Sequence, residues 1–198
     1  MSHYFTNDYV KSEEKIIKTK IGNDTYSFYV DNGVFSKRAL DFGTRTLLEN
    51  LDIERIQGDV LDFGCGYGPI GIYIAKNTDA YVDMIDVNER SLSLAGRNAI
   101  ENNVTVNVFK SNIYSGVLKT YDFIITNPPI RVGKKILYEI LMGAYDYLKP
   151  EGELWLVVNK DQGAKSLVRD LTLKYETEVV EKNKGFYVIK AKKRWQFA

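Results

Sequence analysis

The sequence of 198 residues has little of the chemistry that depends on thiols or imidazoles. It contains one cysteine, Cys65, and one histidine, His3. A single cysteine cannot form an internal disulfide, and the two residues together cannot supply the four ligands of a structural zinc site. The same scarcity argues against a Cys–His pair or a Ser–His–Asp triad as the catalytic group. We therefore expect neither a disulfide nor a bound metal.

Long apolar runs are also missing. No run reaches the roughly eighteen residues of a transmembrane helix, and the polar segment 1–20 lacks the apolar core of a signal peptide. Hydrophobic residues make up 44% of the chain and charged residues 27%, which is ordinary for a globular protein. The sequence therefore predicts one cytoplasmic domain over residues 1–198 with no membrane partner. It leaves the oligomeric state open.

The net charge of +1 gives no indication of a partner, but the basic residues are unevenly placed. The segment 182–194 carries six cations and no acid: Lys182, Lys184, Lys190, Lys192, Lys193 and Arg194. Lysines of this kind discourage pairing at the edge of a sheet, so the preferred interpretation is a solvated edge strand. A contact with RNA is the alternative.

Short apolar runs alternate with amphipathic segments along most of the chain. Strands are predicted at 60–63, 81–85, 104–109, 121–126, 154–158, 177–181 and 186–191, and helices at 70–76, 89–103, 133–148 and 163–173. The Pro and Gly content of 149–152 predicts a turn before the fifth core strand. This order predicts an α/β fold with a doubly wound, mostly parallel seven-stranded sheet that ends in an antiparallel hairpin. Before this core of residues 51–198, the segment 1–50 predicts a small β-hairpin and a lead-in helix.

A glycine loop follows the first predicted core strand, with the sequence Asp62-Phe63-Gly64-Cys65-Gly66-Tyr67-Gly68. Glycines let the backbone turn sharply and approach a ligand closely, so the loop predicts a binding site. With Gly71 the loop also satisfies G-x-G-x-x-G, and Asp86 lies about twenty residues further on, as in dinucleotide-dependent dehydrogenases. A carboxylate at Asp62 would repel a pyrophosphate but would favour the cationic ammonium and sulfonium of S-adenosylmethionine. Asp86 could accept hydrogen bonds from both ribose hydroxyls.

The tetrapeptide Asn127-Pro128-Pro129-Ile130, an NPPI motif, follows the fourth core strand. The Asn127 side-chain oxygen and the Pro128 carbonyl could hold both N–H bonds of an exocyclic amine and turn its lone pair toward a methyl donor. The prolines stiffen the loop, and the motif therefore predicts methyl transfer to an amino group. Arg131, Lys134 and Lys135 follow, either as phosphate contacts or as solvated residues at a helix start, where cations oppose the helix dipole.

These two motifs carry a family resemblance. The glycine loop resembles the first motif of class I S-adenosylmethionine-dependent methyltransferases, and the NPPI motif resembles the Asn-Pro-Pro-aromatic motif of methyltransferases acting on amino groups of DNA, RNA and protein glutamine. The whole chain resembles the stand-alone catalytic domain of the RsmC-like family of small-subunit ribosomal RNA guanine-N2 methyltransferases, including the lead-in segments 33–36 and 40–45. Ile130 departs from the aromatic version and offers an apolar wall in place of a stacking ring.

The resemblance implies a role for each candidate residue. The implied cofactor contacts are Asp62, Gly64, Cys65, Gly66 and Gly68 for the methionine moiety, Asp86, Val87 and Asn88 for the ribose, Asn112 and Ile113 for the adenine, and Asn127. Many relatives have aspartate at the position of Asn112, whose amide oxygen can also accept a hydrogen bond. The implied catalytic residues are Asn127, Pro128, Pro129 and Ile130, and the substrate contacts are Phe35, Arg131, Lys134 and Lys135. Phe35 is equally consistent with an ordinary core aromatic.

The partner implied by the resemblance is RNA, in the form of ribosomal RNA or the small ribosomal subunit. Four alternatives stay open at this point. The same NPPI tip would suit methylation of glutamine N5 in a protein or of adenine N6 in DNA. The chain could also be a non-catalytic ribosome assembly factor that binds S-adenosylmethionine, or a nucleotide-dependent dehydrogenase.

Overall fold

Residues 11–34, 39–129 and 132–194 are described by the structure, a computed structural model. The strands are β1 (Lys15–Ile21), β2 (Asp24–Val30), β3 (Asp59–Phe63), β4 (Tyr81–Asp86), β5 (Asn107–Lys110), β6 (Tyr121–Thr126), β7 (Leu148–Asn159), β8 (Tyr175–Asn183) and β9 (Phe186–Lys193). The α-helices are α1 (Phe42–Asn50), α2 (Pro69–Asn77), α3 (Glu89–Glu101), α4 (Gly133–Tyr147) and α5 (Ala164–Leu171). No helix in these ranges is long and apolar enough to cross a membrane.

Seven strands form the central sheet in the order β5-β4-β3-β6-β7-β9-β8, and β1 and β2 form a separate antiparallel hairpin. Strands β3 to β7 run parallel to one another, whereas β9 is antiparallel to both β7 and β8. The predicted fold is thereby confirmed, including both hairpins. The strand order reverses between β3 and β6, and in such sheets a crevice opens there at the carboxyl edge.

Successive side chains of a strand point to opposite faces of the sheet, and each face has its own core. Val60 and Leu61 are adjacent in β3 and both fully buried, yet they belong to different hydrophobic clusters. One cluster lies under the hairpin and helices α1 to α3, and the other lies under α4 and α5. The two layers hold the carboxyl ends of β3, β4 and β6 in fixed positions.

Two asparagines of α3 attach the hairpin to the core. Asn102 accepts from Ser27 N at 3.2 Å and donates to Ser27 O at 2.8 Å. Asn98 accepts from Tyr29 N at 2.7 Å and donates to Tyr29 O at 2.9 Å and to Tyr67 O at 2.8 Å. These residues lie one helical turn apart, so they satisfy alternate backbone groups of β2 as a neighbouring strand would. Through Asn98 the hairpin is linked directly to the glycine loop.

The predicted strand at 104–109 begins later than expected, because β5 starts at Asn107. Val104 N donates to Ala99 O at 3.0 Å, so this residue still closes the end of α3. Pairing with β4 begins where Asn107 lies beside Asp83. Composition alone indicated a strand at 104–106 because valine and threonine favour extended backbone, but these residues form no pairing with β4.

The turn predicted at 149–152 lies inside β7. Tyr121 pairs with Leu148 and Phe123 pairs with Glu153, so residues 149–152 bulge out opposite the single residue Asp122. Glu151 has a φ of 65°, a left-handed conformation that is typical of a turn. The turn chemistry therefore exists, but as an irregularity within one strand.

The edge-strand interpretation of the basic segment is wrong for its β9 lysines. Lys182 lies on the edge strand β8, but Lys190, Lys192 and Lys193 belong to β9, which is paired on both sides. Lys190 forms an ion pair with Glu178 at 2.7 Å across the hairpin. Lys193 donates to two main-chain carbonyls at the end of α4. These cations serve the hairpin and its packing rather than an open edge.

Candidate active site

The glycine loop connects β3 to α2 at the switch point of the sheet. Gly64 and Gly66 have φ values of 70° and 56°, a region that favours glycine, and a Cβ on either would meet nothing within 4 Å. Gly71 has a different role, because its Cβ would lie 2.3 Å from Met84 Sδ. The first two glycines therefore leave space for a ligand, and Gly71 lets α2 pack closely on β4.

Asp62 lies beneath this loop at the end of β3 and is fully buried. Its Oδ2 accepts from Gly71 N at 2.8 Å, and its Oδ1 has no hydrogen-bond partner within the described residues. Burial raises the pKa of this carboxyl to about 7, the Gly71 bond opposes that rise, and the charge of Asp86 adds to it. The side chain therefore lacks positive charge beside it, and a cationic ligand above the loop would favour its ionised form.

Asp86 lies at the end of β4. Its Oδ2 accepts from Gly66 N at 3.0 Å and its Oδ1 accepts from Asn88 N at 2.9 Å, so it fixes the loop relative to the start of α3. Burial raises the pKa of this carboxyl as well. Each carboxylate oxygen can accept more than one hydrogen bond, so both remain available to a pair of ribose hydroxyls. Asn88 caps α3 by accepting from Arg90 N at 2.9 Å.

The segment after β5 forms a tight turn held by Ser111. Its hydroxyl donates to Ile113 O at 2.8 Å and accepts from Gly116 N at 3.0 Å. Ile113 has a φ of 53°, which a β-branched residue rarely adopts, so this turn fixes its side chain in an unusual direction. Asn112 beside it is exposed. The result is an apolar wall with an amide at its rim, which suits a flat heterocycle such as adenine.

Asn127 follows β6 and is held by the start of α1. Its Nδ2 donates to Asp41 Oδ2 at 2.9 Å and to Thr44 Oγ1 at 2.9 Å. An amide nitrogen carries two hydrogens, and both are engaged here. A reversed amide would place its oxygen against the Asp41 carboxylate, which is unfavourable. Asn127 therefore offers only its oxygen, an acceptor, to whatever lies in front of it.

These elements surround one cavity of about 400 Å³, a size typical of small-molecule sites. The predicted residues that line it are Gly64, Cys65, Gly66, Asp86, Val87, Asn88, Asn112, Ile113, Asn127, Pro128 and Pro129. Asp62 lies beneath the loop, and Gly68 is the N-cap of α2 and faces Ile72 and Met84. Lys134 and Lys135 are exposed on the first turn of α4. The predicted residues Phe35, Ile130 and Arg131 lie outside the described residues.

Several residues of the site had no individual role predicted from the sequence, although the resemblance places the lead-in segment 40–45 beside the cofactor. Thr44, Tyr67, Ser91 and Ile136 line the cavity, and Asp41 supports it from behind Asn127. Ile136 is 40% exposed. The spacing of Asp41 and Thr44 is typical of a helix N-cap, which could have been recognised in the sequence. Their shared hydrogen-bond partner Asn127 lies 86 and 83 positions further along the chain, and this contact could not have been recognised in the sequence.

The S-adenosylmethionine expected from the sequence fits this site on four observations. Gly64 and Gly66 leave room for a ligand against the backbone, and Asp86 offers two acceptors beside it. The unpartnered Asp62 Oδ1 favours positive charge near the loop. The Tyr67 hydroxyl is likewise buried without a hydrogen-bond partner in the described part of the chain, so a donor remains for a polar ligand group.

Comparison with known proteins finds a methyltransferase family and relatives along most of the chain. The profile of a family described as methyltransferase small domain matches residues 25–190. YbxB of Bacillus subtilis (strain 168), described as an uncharacterized protein, is 43% identical over 197 residues, which cover 96% of this chain and 98% of that one. Ribosomal RNA small subunit methyltransferase C of Mannheimia succiniciproducens is 42% identical over 132 residues, which cover 64% of this chain and 39% of the relative.

Among solved structures, a 16S rRNA N2 guanine methyltransferase (RsmC) from T. thermophilus, in complex with AdoMet and guanosine, superposes with a TM-score of 0.82. It is 25% identical, and the match covers 91% of this chain and 51% of that one. The chain therefore spans about two fifths of the curated ribosomal RNA methyltransferase and about half of the solved one.

Proposed function

We propose that this chain, which belongs to the methyltransferase small domain family, transfers a methyl group to an exocyclic amine, and that the amine is N2 of a guanine in ribosomal RNA. The chain is an RsmC-like, class I methyltransferase with S-adenosylmethionine as its cofactor. When bound, S-adenosylmethionine supplies an electrophilic methyl group on a sulfonium. The amine, the nucleobase and the RNA are the parts that we propose.

One observation carries the choice of an amine. Both hydrogens of Asn127 Nδ2 are engaged by Asp41 and Thr44, so Asn127 presents an acceptor to the cavity. Pro128 has no N–H, and its carbonyl can act only as an acceptor. Two neighbouring acceptors suit a nucleophile that donates two N–H bonds, which is an NH₂ group. A hydroxyl or a carbon nucleophile would leave at least one of these acceptors without a donor.

Two acceptors also explain how a poor nucleophile could react. The lone pair of an amine attached to a nucleobase is delocalised into the ring. Hydrogen bonds from both N–H groups to Asn127 and Pro128 would take this lone pair out of conjugation with the ring π system and aim it at the methyl carbon. The nitrogen forms the N–C bond as the S–C bond breaks with its electron pair remaining on sulfur. The nitrogen then carries positive charge and releases one proton to water.

Guanine in RNA is supported by the relatives and by the local charge. The T. thermophilus protein was solved with guanosine, and its name assigns methylation of guanine N2 in 16S rRNA. In this chain Lys134 and Lys135 are exposed two residues and one residue before the cavity-lining Ile136, and Lys134 Nζ lies 5.1 Å from the centroid of the Tyr138 ring. We propose that these two cations contact phosphates of the RNA. Pro129, Ile136 and Ile140 provide an apolar wall for the base.

The test is methylation with isotopically labelled S-adenosylmethionine of small ribosomal subunits, naked 16S RNA, ribosomal proteins and DNA. The RNA should come from cells that lack this protein, so that its target is unmodified. We expect label in RNA, recovered by mass spectrometry as N2-methylguanosine. Asn127→Ala should still bind S-adenosylmethionine measurably in calorimetry but should methylate far more slowly than the wild type at saturating cofactor.

The alternatives give different results in the same experiment. Label confined to protein glutamine or to adenine in DNA would contradict the RNA proposal and leave the amine chemistry intact. A wild-type protein that binds S-adenosylmethionine and methylates none of these substrates would favour the non-catalytic assembly factor. In that case Asn127→Ala should retain its role in ribosome assembly in cells.

A further inference from the structure

A short network joins the start of α1 to the methyl-transfer site. Asp41 is the N-cap of α1, and its Oδ2 accepts from Thr44 N at 2.9 Å as well as from Asn127 Nδ2 at 2.9 Å. Thr44 Oγ1 receives the second hydrogen of the same amide. One carboxylate oxygen therefore serves both a helix cap and the Asn127 side chain, and the helix start fixes the amide from two directions.

The packing around Asp41 keeps this carboxylate close to α1. A Cβ on Gly43 would lie 3.0 Å from Asp41 Oδ2 and 2.9 Å from the Phe186 ring, so glycine is required at this point. Phe42 packs against Phe186 with ring centroids 5.6 Å apart, which ties the start of α1 to β9. The start of α1 is therefore anchored to β9, a strand that does not line the cavity.

We infer that Asp41 is a positioning residue that sets both the orientation and the acceptor strength of Asn127. The inference rests on the proposed function, in which Asn127 Oδ1 receives an N–H of the substrate amine. A charged acceptor on the Nδ2 side polarises the amide and makes Oδ1 a stronger acceptor. As the substrate nitrogen gains positive charge, its N–H bonds to Oδ1 strengthen. The contribution of Asp41 is therefore larger in the transition state than in the bound ground state.

This arrangement also favours one class of nucleophile. A negative charge linked through one amide to the reacting group stabilises a neutral nucleophile that becomes cationic, which is an amine. It does not favour an oxygen or carbon nucleophile that must first become an anion. Asp41 thus biases the site toward amino groups by electrostatics, in addition to the hydrogen-bond count at Asn127 and Pro128.

Two substitutions separate the effect of the Asp41 charge from the effect of its hydrogen bond to Asn127. Asp41→Asn keeps an oxygen at the same distance and removes the charge, and we expect kcat to fall about 10-fold with KM unchanged. Asp41→Ser keeps an N-cap residue for α1, but its side chain is too short to reach Asn127, and we expect kcat to fall about 100-fold. Asp52→Ser is the matched control at the other end of α1, where the side chain makes no cap bond.

A double-mutant cycle distinguishes positioning from simple stabilisation of α1. If Asp41 acts through Asn127, Asp41→Ser should cause no further loss of kcat in the Asn127→Ala background. Additive losses would overturn the inference, and so would full activity of Asp41→Ser beside an inactive Asn127→Ala. If the wild type is inactive, or Asn127→Ala is fully active, the proposed function fails instead.

A measurement without turnover tests the positioning itself. In the wild type, the two Asn127 Nδ2 hydrogens should exchange with solvent more slowly than those of exposed asparagines in ¹⁵N NMR spectra, with Asn127→Ala identifying the signals. In Asp41→Ser their exchange should accelerate at least about 10-fold, and in Asp52→Ser it should not change. Free exchange in the wild type would contradict the inference whatever the enzyme does.

Discussion

Asp62 combines full burial, one unpartnered oxygen and a pKa raised by burial to about 7 from its ordinary value of 3.8. Between these two pKa values the folded protein without cofactor retains a proton that the unfolded chain has lost. The free energy of unfolding of the wild type, relative to Asp62→Asn, should therefore fall as the pH rises from about 4 to 7. The full difference is roughly 4 kcal/mol, at about 1.4 kcal/mol per pKa unit.

Urea denaturation of both proteins across this pH range measures that difference, and the comparison cancels the other carboxylates. The affinity for S-adenosylmethionine should rise with pH over the same range in the wild type, because the cation favours ionised Asp62. It should rise less in Asp62→Asn, where only the raised pKa of Asp86 contributes. Parallel stability profiles of the two proteins would show that Asp62 is already ionised at low pH.

At the scale of single residues, the location of the cavity residues could be predicted from the sequence, but most of their side-chain hydrogen bonds could not. Gly64, Asp86 and Asn127 line one cavity because the ends of parallel strands meet at one edge, and that rule can be applied to a sequence. The Asp41 and Thr44 bonds to Asn127 join residues more than eighty positions apart. No local pattern encodes such bonds, since they depend on how α1 packs across β7 and β9.

At the scale of elements, the loop and α2 use their glycines for two different purposes. Gly71→Ala would place its Cβ 2.3 Å from Met84 Sδ, so we expect the protein to lose about 1 to 3 kcal/mol of stability by overpacking. Gly64→Ala has open space but a φ of 70°, so we expect a loss of about 1 kcal/mol and a marked loss of cofactor affinity.

Urea denaturation and calorimetry with S-adenosylmethionine separate the two effects. The double variant with Met84→Val should recover stability for Gly71→Ala, because the shorter side chain makes room for the new methyl group. The packing argument fails if Gly71→Ala is as stable as the wild type. The cavity argument fails if Gly64→Ala binds the cofactor normally.

The hydrogen bonds between α3 and the hairpin lead to a second prediction at this scale, which concerns stability and cofactor affinity. Asn98→Ala leaves Tyr29 N, Tyr29 O and Tyr67 O without their side-chain partner, and we expect a loss of about 3 kcal/mol. Asn102→Ala is the matched control, since it removes bonds to Ser27 but none to the glycine loop. Both variants should be destabilised in thermal denaturation, whereas cofactor affinity should fall only in Asn98→Ala. Equal affinities would show that the loop holds its shape without the hairpin.

The errors in predicting elements also have a physical cause. Residues 104–106 were predicted as strand from their composition, and residues 149–152 as a turn from their Pro and Gly content. In the structure the first group forms no pairing with β4, and the second bulges within β7. Strand boundaries depend on where pairing between strands begins, which is a property of the assembled sheet.

At the scale of the whole molecule, the proposed binding of RNA must come from local charge, because the net charge is only +1. Lys134 and Lys135 lie on the first turn of α4, where cations oppose the helix dipole, and they precede the cavity-lining Ile136. Such a placement reduces the stability of the helix slightly. It is consistent with a role in contacting phosphates at the entrance.

The double variant Lys134→Ala/Lys135→Ala should therefore bind small-subunit RNA more weakly and less steeply with salt. If each lysine contacts one phosphate, the slope of log K against log salt should decrease in magnitude by about 1.4 to 1.8, as measured by fluorescence anisotropy between low and moderate salt. Lys76→Ala/Lys174→Ala is the control, because α2 ends and β8 begins at the opposite edge of the sheet. An equal effect of both double variants would mean that the whole surface attracts RNA, and the entrance would then have no special part in substrate binding.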